Sequence, residues 1–177
     1  VICKASGWMR WLSLSILAVA SVWVNLPYHP GWQCERAQNC VAVEVSGSSL
    51  IMDPGTASDV VLLRRLAEQY APGGRSIFAT PFWPGAYAVL ERKSPIWEIY
   101  ALFPRSADYQ RQQIRELKAA APGIVVINNL ALDGRAELRF SNTHALVYQY
   151  VLDNFDRIEV SPNPDYLLFR AKDAGSH

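Results

Sequence analysis

The chain has 177 residues, half of them apolar and 11% aromatic, which is enough to bury a core and excludes a disordered chain. Its formal net charge is +1, with basic and acidic residues interleaved, so it lacks the basic stripe of a nucleic-acid reader. The sequence opens on Val1 rather than Met, and the expectation is a fragment of a longer protein whose chemistry lies upstream.

From Trp11 to Cys34 there is no Asp, Glu, Lys or Arg. Spanning a bilayer takes about 20 apolar residues, and Trp8 to Leu26 supplies them if Arg10 snorkels. Trp8, Trp11, Trp23 and Tyr28 fall near the two ends, where amphipathic rings favour the interface. The leading reading is a last transmembrane helix. The alternatives are a cleavable signal peptide, with Lys4 and Arg10 ahead of Ala18-Val-Ala20, and a buried helix of a soluble protein. The first two agree on direction: positive charge precedes the segment and none closely follows it, so the remainder is expected outside the cytoplasm. Cys34 and Cys40 are spaced for a disulfide in an oxidising compartment; the alternative is two unpaired thiols. A zinc site would need more ligands than His29 offers, so no metal is expected.

Beyond Cys40, Val41–Val45 and Leu50–Met52 read as a hairpin, and a helix follows over Ser58–Tyr70 with Leu63, Leu66, Ala67 and Tyr70 on one face. Ser76–Thr80 reads as a strand, Pro81-Phe-Trp-Pro-Gly as a bend, Ala86–Glu91 as a short helix and Trp97–Leu102 as another strand. Ser106–Ala120 is an amphipathic helix with Ile114, Leu117 and Ala121 inward, ended by Pro122-Gly123. Ile124–Ile127 suits a strand buried on both faces. Asn142 is expected to cap a last helix to about Asn154, with Leu146, Val147, Tyr150 and Val151 inward, and Phe155–Val160 and Tyr166–Arg170 to close the sheet as a pair. The fold class is therefore α/β, a layered mixed sheet with helices, preceded by one transmembrane helix. The expected domains are a membrane helix with a short cytoplasmic flank over 1–28, an extracytoplasmic domain over 29–171 and a frayed tail over 172–177.

Catalytic motifs are missing. Gly73-Gly74 follows a helix instead of opening one, so it reads as a C-cap and not a phosphate loop. There is no Gly-x-Ser-x-Gly elbow. His144 reads as a surface or capping histidine. Asp53, Asp59, Glu91, Glu98, Asp133 and Asp153 are candidate acids, but no spacing forces two of them together. No catalytic residue and no cofactor is expected. The unusual stretch is Thr80–Pro95, in which two prolines bracket Phe82 and Trp83 after a strand, with Tyr87 one turn on and Arg92-Lys93 at the helix end. Phe82, Trp83, Tyr87, Arg92 and Lys93 form a candidate ligand site for a sugar phosphate or lipid headgroup. The alternative is that the aromatics plug the sheet edge and the cations favour a helix C-terminus.

The same pieces, Ser76–Thr80, Pro81–Arg92, Ser94-Pro95, Trp97–Pro104 and Ile124–Ile127, resemble a C-terminal domain of bacterial polytopic membrane proteins. These are similar to glycosyltransferases of the dolichyl-phosphate-mannose mannosyltransferase type, which use lipid-linked sugar donors. The resemblance covers roughly residues 40–171. It implies a parent that transfers a sugar from a polyprenyl phosphate on the outer face of the cell membrane, with this domain capping the site or binding an acceptor. The family's catalytic acid lies in an early extracytoplasmic loop with no counterpart here, so no catalytic residue is carried over. The implied partners are membrane lipid and a lipid-linked sugar or saccharide acceptor. A membrane-anchored periplasmic binding or interaction module is the alternative, and a secreted hydrolase is a third.

Overall fold

The structure is a computed structural model that describes residues 7–25, 34, 40–159, 161 and 164–172. It divides into two compact units, residues 1–58 and 59–177.

In the first unit, helix α1 (Gly7–Asn25) has 19 residues and is long and apolar enough to cross a membrane. At 1.5 Å per residue it extends about 28 Å, close to a bilayer's hydrocarbon thickness. Its serine Ser13 bonds back to Met9 O at 2.9 Å, so the hydroxyl is satisfied within the helix. Cys34 and Cys40 are joined by a disulfide, with Cα atoms 5.3 Å apart. Strands β1 (Val41–Val45) and β2 (Ser48–Met52) form an antiparallel hairpin with Val45 opposite Ser48. The second strand starts two residues earlier than its apolar run suggests. Ser46 and Gly47 both take positive φ, 51° and 77°, and so close the hairpin in two residues.

Helix α2 (Pro54–Tyr70) also begins earlier than expected. Asp53 acts as its cap, accepting from Thr56 N at 3.0 Å, and Pro54 takes the first helical position, where no N–H is needed. Thr56 N and Oγ1 both donate to Asp53, which holds its carboxyl below the usual carboxylate range.

The second unit is built on a four-stranded mixed sheet of β3 (Ile77–Thr80), β4 (Ile124–Asn128), β5 (Phe155–Ile158) and β6 (Tyr166–Ala171). Its spatial order is β3-β4-β6-β5, with β3 and β4 parallel and the other pairings antiparallel. Ile124, Val125, Val126 and Ile127 are fully buried, as a central strand covered on both faces requires. One face, through Ile77, Ala79, Ile124, Val126 and Leu168, meets Leu63, Leu66 and Ala67 of α2 and Ala86 and Tyr87 of α3 (Pro84–Val89). The other face, through Phe78, Val125, Ile127 and Phe169, meets Leu117 of α4 (Ala107–Ala120), Phe140 of α5 (Phe140–Thr143) and Val147 and Val151 of α6 (Ala145–Asn154). The arrangement is helix, sheet, helix.

Three expectations are corrected. Trp97–Leu102 is not a strand: among the described residues it joins no ladder, and it meets the sheet end through Ala101, whose N donates to Pro81 O at 2.6 Å. The expected last helix is broken in two at His144, whose φ/ψ of −128°/48° is not helical, and Asn142 lies inside α5 with its Nδ2 on Ala136 O. Helix α4 turns Gln110, Gln113 and Leu117 inward, leaves Ile114 half-buried, and ends in a left-handed Ala121 that is exposed. The tail beyond Lys172 lies outside the described residues.

The turn between α4 and β4 depends on one glycine. A methyl group on Gly123 would overlap Tyr70 O at the end of α2, while Gly123 itself bonds Ser76 O and Ala171 N, both at 2.9 Å. Substituting Gly123→Ala should cost about 1–3 kcal/mol, because backbone rather than a flexible side chain stands in the way. Urea denaturation of the purified chain checks it, and an unchanged midpoint would contradict this close approach.

Candidate functional site

Each residue of the sequence-derived ligand site has a definite place. Phe82 and Trp83 are half-buried, and Trp83 stacks on Tyr166 with ring centroids 4.7 Å apart. Tyr87 is buried, and its hydroxyl accepts from Ala79 N and donates to Ala79 O, both at 3.0 Å. Among the described residues β3 pairs with β4 alone, so Ala79 presents its main-chain groups on the outer edge, and Tyr87 satisfies both. Arg92 is half-buried and Lys93 exposed. Trp83 and Tyr87 are thus engaged, one with Tyr166 and the other with the sheet. Replacing Tyr87→Phe should destabilise the fold by about 1–3 kcal/mol by orphaning both groups of Ala79. Chemical denaturation reads this, and a neutral result would refute the edge-capping role.

A second constellation arises where the chain leaves α3 and runs to α4. Glu98 is buried, at 8% exposed, in a segment with no ladder of its own. Its Oε1 takes Arg105 Nε at 2.6 Å and Nη2 at 2.5 Å, while its Oε2 takes Gln113 Nε2 at 2.8 Å and faces His144 Nε2 at 3.2 Å. Four contacts from three side chains converge on one carboxylate, which is how a buried charge is made tolerable. His144 is fully buried, stacks on Phe140 at 5.1 Å, and its Nδ1 lies 3.0 Å from Thr143 Oγ1. Gln110, the other inward glutamine, joins the segments around the cluster: its Nε2 donates to Arg105 O and its Oε1 accepts from Leu146 N, both at 2.9 Å.

Above Glu98 lies an open groove of about 570 Å³, walled by Ser94, Ile96, Trp97, Glu98, Ile99, Tyr100, Arg105 and Tyr109. Arg105 sits over the Tyr109 ring at 5.4 Å, so its guanidinium is held between the carboxylate and an aromatic face. Trp97 and Tyr100 stand largely in solvent. The groove therefore combines flat aromatic plates, an oriented guanidinium and a hydroxyl at Ser94, over a buried carboxylate whose oxygens are already engaged.

The order Thr143, His144, Glu98 has the residue types of a nucleophile, base and acid. Thr143 is 2% exposed, however, and neither it nor His144 walls the groove. Among the described residues no three His, Cys, Asp or Glu side chains gather as a metal site.

The sequence offered Glu98 only as one acid among several, and His144 as a surface or capping histidine, whereas both are buried. The usable signal was the inward stripe of α4: Gln110, Gln113 and Leu117 share a helical face, and a glutamine turned inward needs partners. No protein family, curated protein or solved structure matches this chain.

Burial pushes His144 below its ordinary value of 6.5, and the Glu98 hydrogen bond and charge oppose the shift without reversing it. The unfolded chain therefore takes up the proton first as pH falls. The contribution of His144 to stability is complete above the ordinary histidine value and declines as pH drops through it. Stability should be lower at about pH 5.5 than at about pH 8, and His144→Asn should flatten that dependence. Denaturant midpoints across this range decide the matter; an equally steep slope in the variant would count against it.

Proposed function

We propose that this chain is the non-catalytic extracytoplasmic C-terminal domain of a membrane glycosyltransferase-like protein, and that the 94–109 groove receives the sugar-phosphate head of a polyprenyl-linked donor or its saccharide acceptor. The observation that carries this reading is the groove itself. Pyranose rings present apolar C–H faces that stack on Trp and Tyr, while their hydroxyls suit a guanidinium held in fixed geometry. Arg105 is oriented by Glu98 and Tyr109, so little ordering is left to the moment of binding. Its guanidinium also matches a phosphate.

Two further features support the cellular setting. An apolar helix of 19 residues at the N-terminal end suits an inner-membrane anchor, and Arg10 within it is the cationic flank expected on the cytoplasmic side. The Cys34–Cys40 disulfide suits the oxidising side of that membrane. A second reading, a singly anchored periplasmic binding module without a glycosyltransferase parent, is favoured by the walls of the groove all belonging to residues 94–109. Both readings share the binding site and part only at the identity of the parent protein.

Titrating the detergent-solubilised chain with a short-chain polyprenyl-phosphate sugar should change tryptophan emission. Trp97→Ala and Tyr109→Ala should each weaken binding about tenfold, or about 1.4 kcal/mol. Isothermal titration supplies the affinities. Unchanged affinity in both variants would reject the groove as the site.

A further inference from the structure

The stretch from Trp97 to Phe103 exposes four large apolar side chains in seven positions: Trp97 at 89%, Ile99 at 38%, Tyr100 at 53% and Phe103 at 59%. A single exposed apolar residue needs no explanation, but a cluster on one short loop does. The composition matters as much as the area, because Trp and Tyr are the side chains that favour the boundary between headgroups and acyl chains. From Arg92 to Arg105 the only carboxylate is Glu98, and it is turned inward onto Arg105, Gln113 and His144. No exposed anion within the loop opposes an anionic surface. The loop is also fixed, since Glu98 ties it to α4 and to His144 beside α6, and Ala101 N ties it to Pro81 O. Its rings are therefore presented outward at little cost in ordering.

We infer that the Trp97–Phe103 loop is a docking surface for the lipid bilayer, with its aromatic rings seated at the headgroup level. The inference rests on the reading of α1 as an anchor, which would confine the loop near a bilayer and convert a feeble contact into an intramolecular one. It also deepens the proposed function. A docked loop would set the mouth of the 94–109 groove at the surface where the head of a lipid-linked sugar lies.

The test uses the full chain reconstituted into vesicles of phosphatidylcholine and phosphatidylglycerol, with and without lipids carrying a nitroxide near the headgroup. The Trp97 component is isolated as the difference between the wild type and Trp97→Phe, a change at an exposed position that leaves the core intact. Docking predicts a blue-shifted component that nitroxide lipid quenches about twofold and that aqueous acrylamide reaches poorly. The paired change Tyr100→Ser and Phe103→Ser should restore acrylamide access. A Trp97 component that acrylamide quenches like free indole, with no effect of nitroxide lipid, overturns the inference. So does shielding that rises with protein density and accompanies cross-linking between copies, which marks a contact between chains. Acrylamide shielding produced only by added sugar phosphate overturns docking and leaves the groove reading standing. Lipid quenching without any response to sugar phosphate upholds docking and retires the groove.

Discussion

A carboxylate removed from water must be compensated where it sits, and Glu98 meets that requirement with Arg105, Gln113 and His144. These partners come from different stretches of the chain: Arg105 precedes α4, Gln113 lies within it, and His144 separates α5 from α6. The constraint therefore fixes more than a side chain. It locates the segment between α3 and α4, which has no strand partner to hold it, and thereby shapes the groove and presents Trp97 and Tyr100 outward. Gln110 performs the same service for the main chain at Arg105 and Leu146.

The sheet supplies the platform for this network. β4 is its buried centre, and the parallel neighbour β3 ends at Thr80, where Pro81 O receives Ala101 N. The free edge of β3 is blunted by the Tyr87 hydroxyl, which occupies both main-chain groups of Ala79 where another strand would otherwise pair. On the α2 side, Tyr166 OH reaches Asp59 at 2.7 Å while its ring carries Trp83, so one residue of β6 links α2 and the Pro81–Pro84 bend to the sheet. The aromatic bend that stands out in the sequence is thus bound into the architecture, and the more exposed aromatics lie one segment later.

The functional reading follows from this shift. An exposed pair of aromatic plates beside an oriented guanidinium suits a saccharide or sugar phosphate, and the apolar rim of the same loop suits a bilayer. The two uses are compatible, because a lipid-linked sugar offers its head at the level where aromatic side chains settle. The buried Thr143, His144 and Glu98 hold the loop in place beneath the groove.

The sequence by itself determined the features carried by local pattern. The apolar run at the N-terminal end, the β-branched run Ile124–Ile127, the amphipathic stripe Leu63, Leu66 and Ala67, and the Pro and Gly stops each follow from periodicity or backbone restriction, and the mixed α/β sheet follows from their order. Tertiary structure decided what depends on partners distant in the chain. Trp97–Leu102 has strand-like residues, yet among the described residues it joins no ladder and is held instead through Glu98, buried among three side chains. His144 looks like a helix-start residue, yet the stack on Phe140 and the bond to Glu98 draw it inside, and the helix breaks at that point. Propensity is a property of neighbours in sequence, whereas compensation of a buried charge is a property of neighbours in space, and only the folded chain specifies the latter.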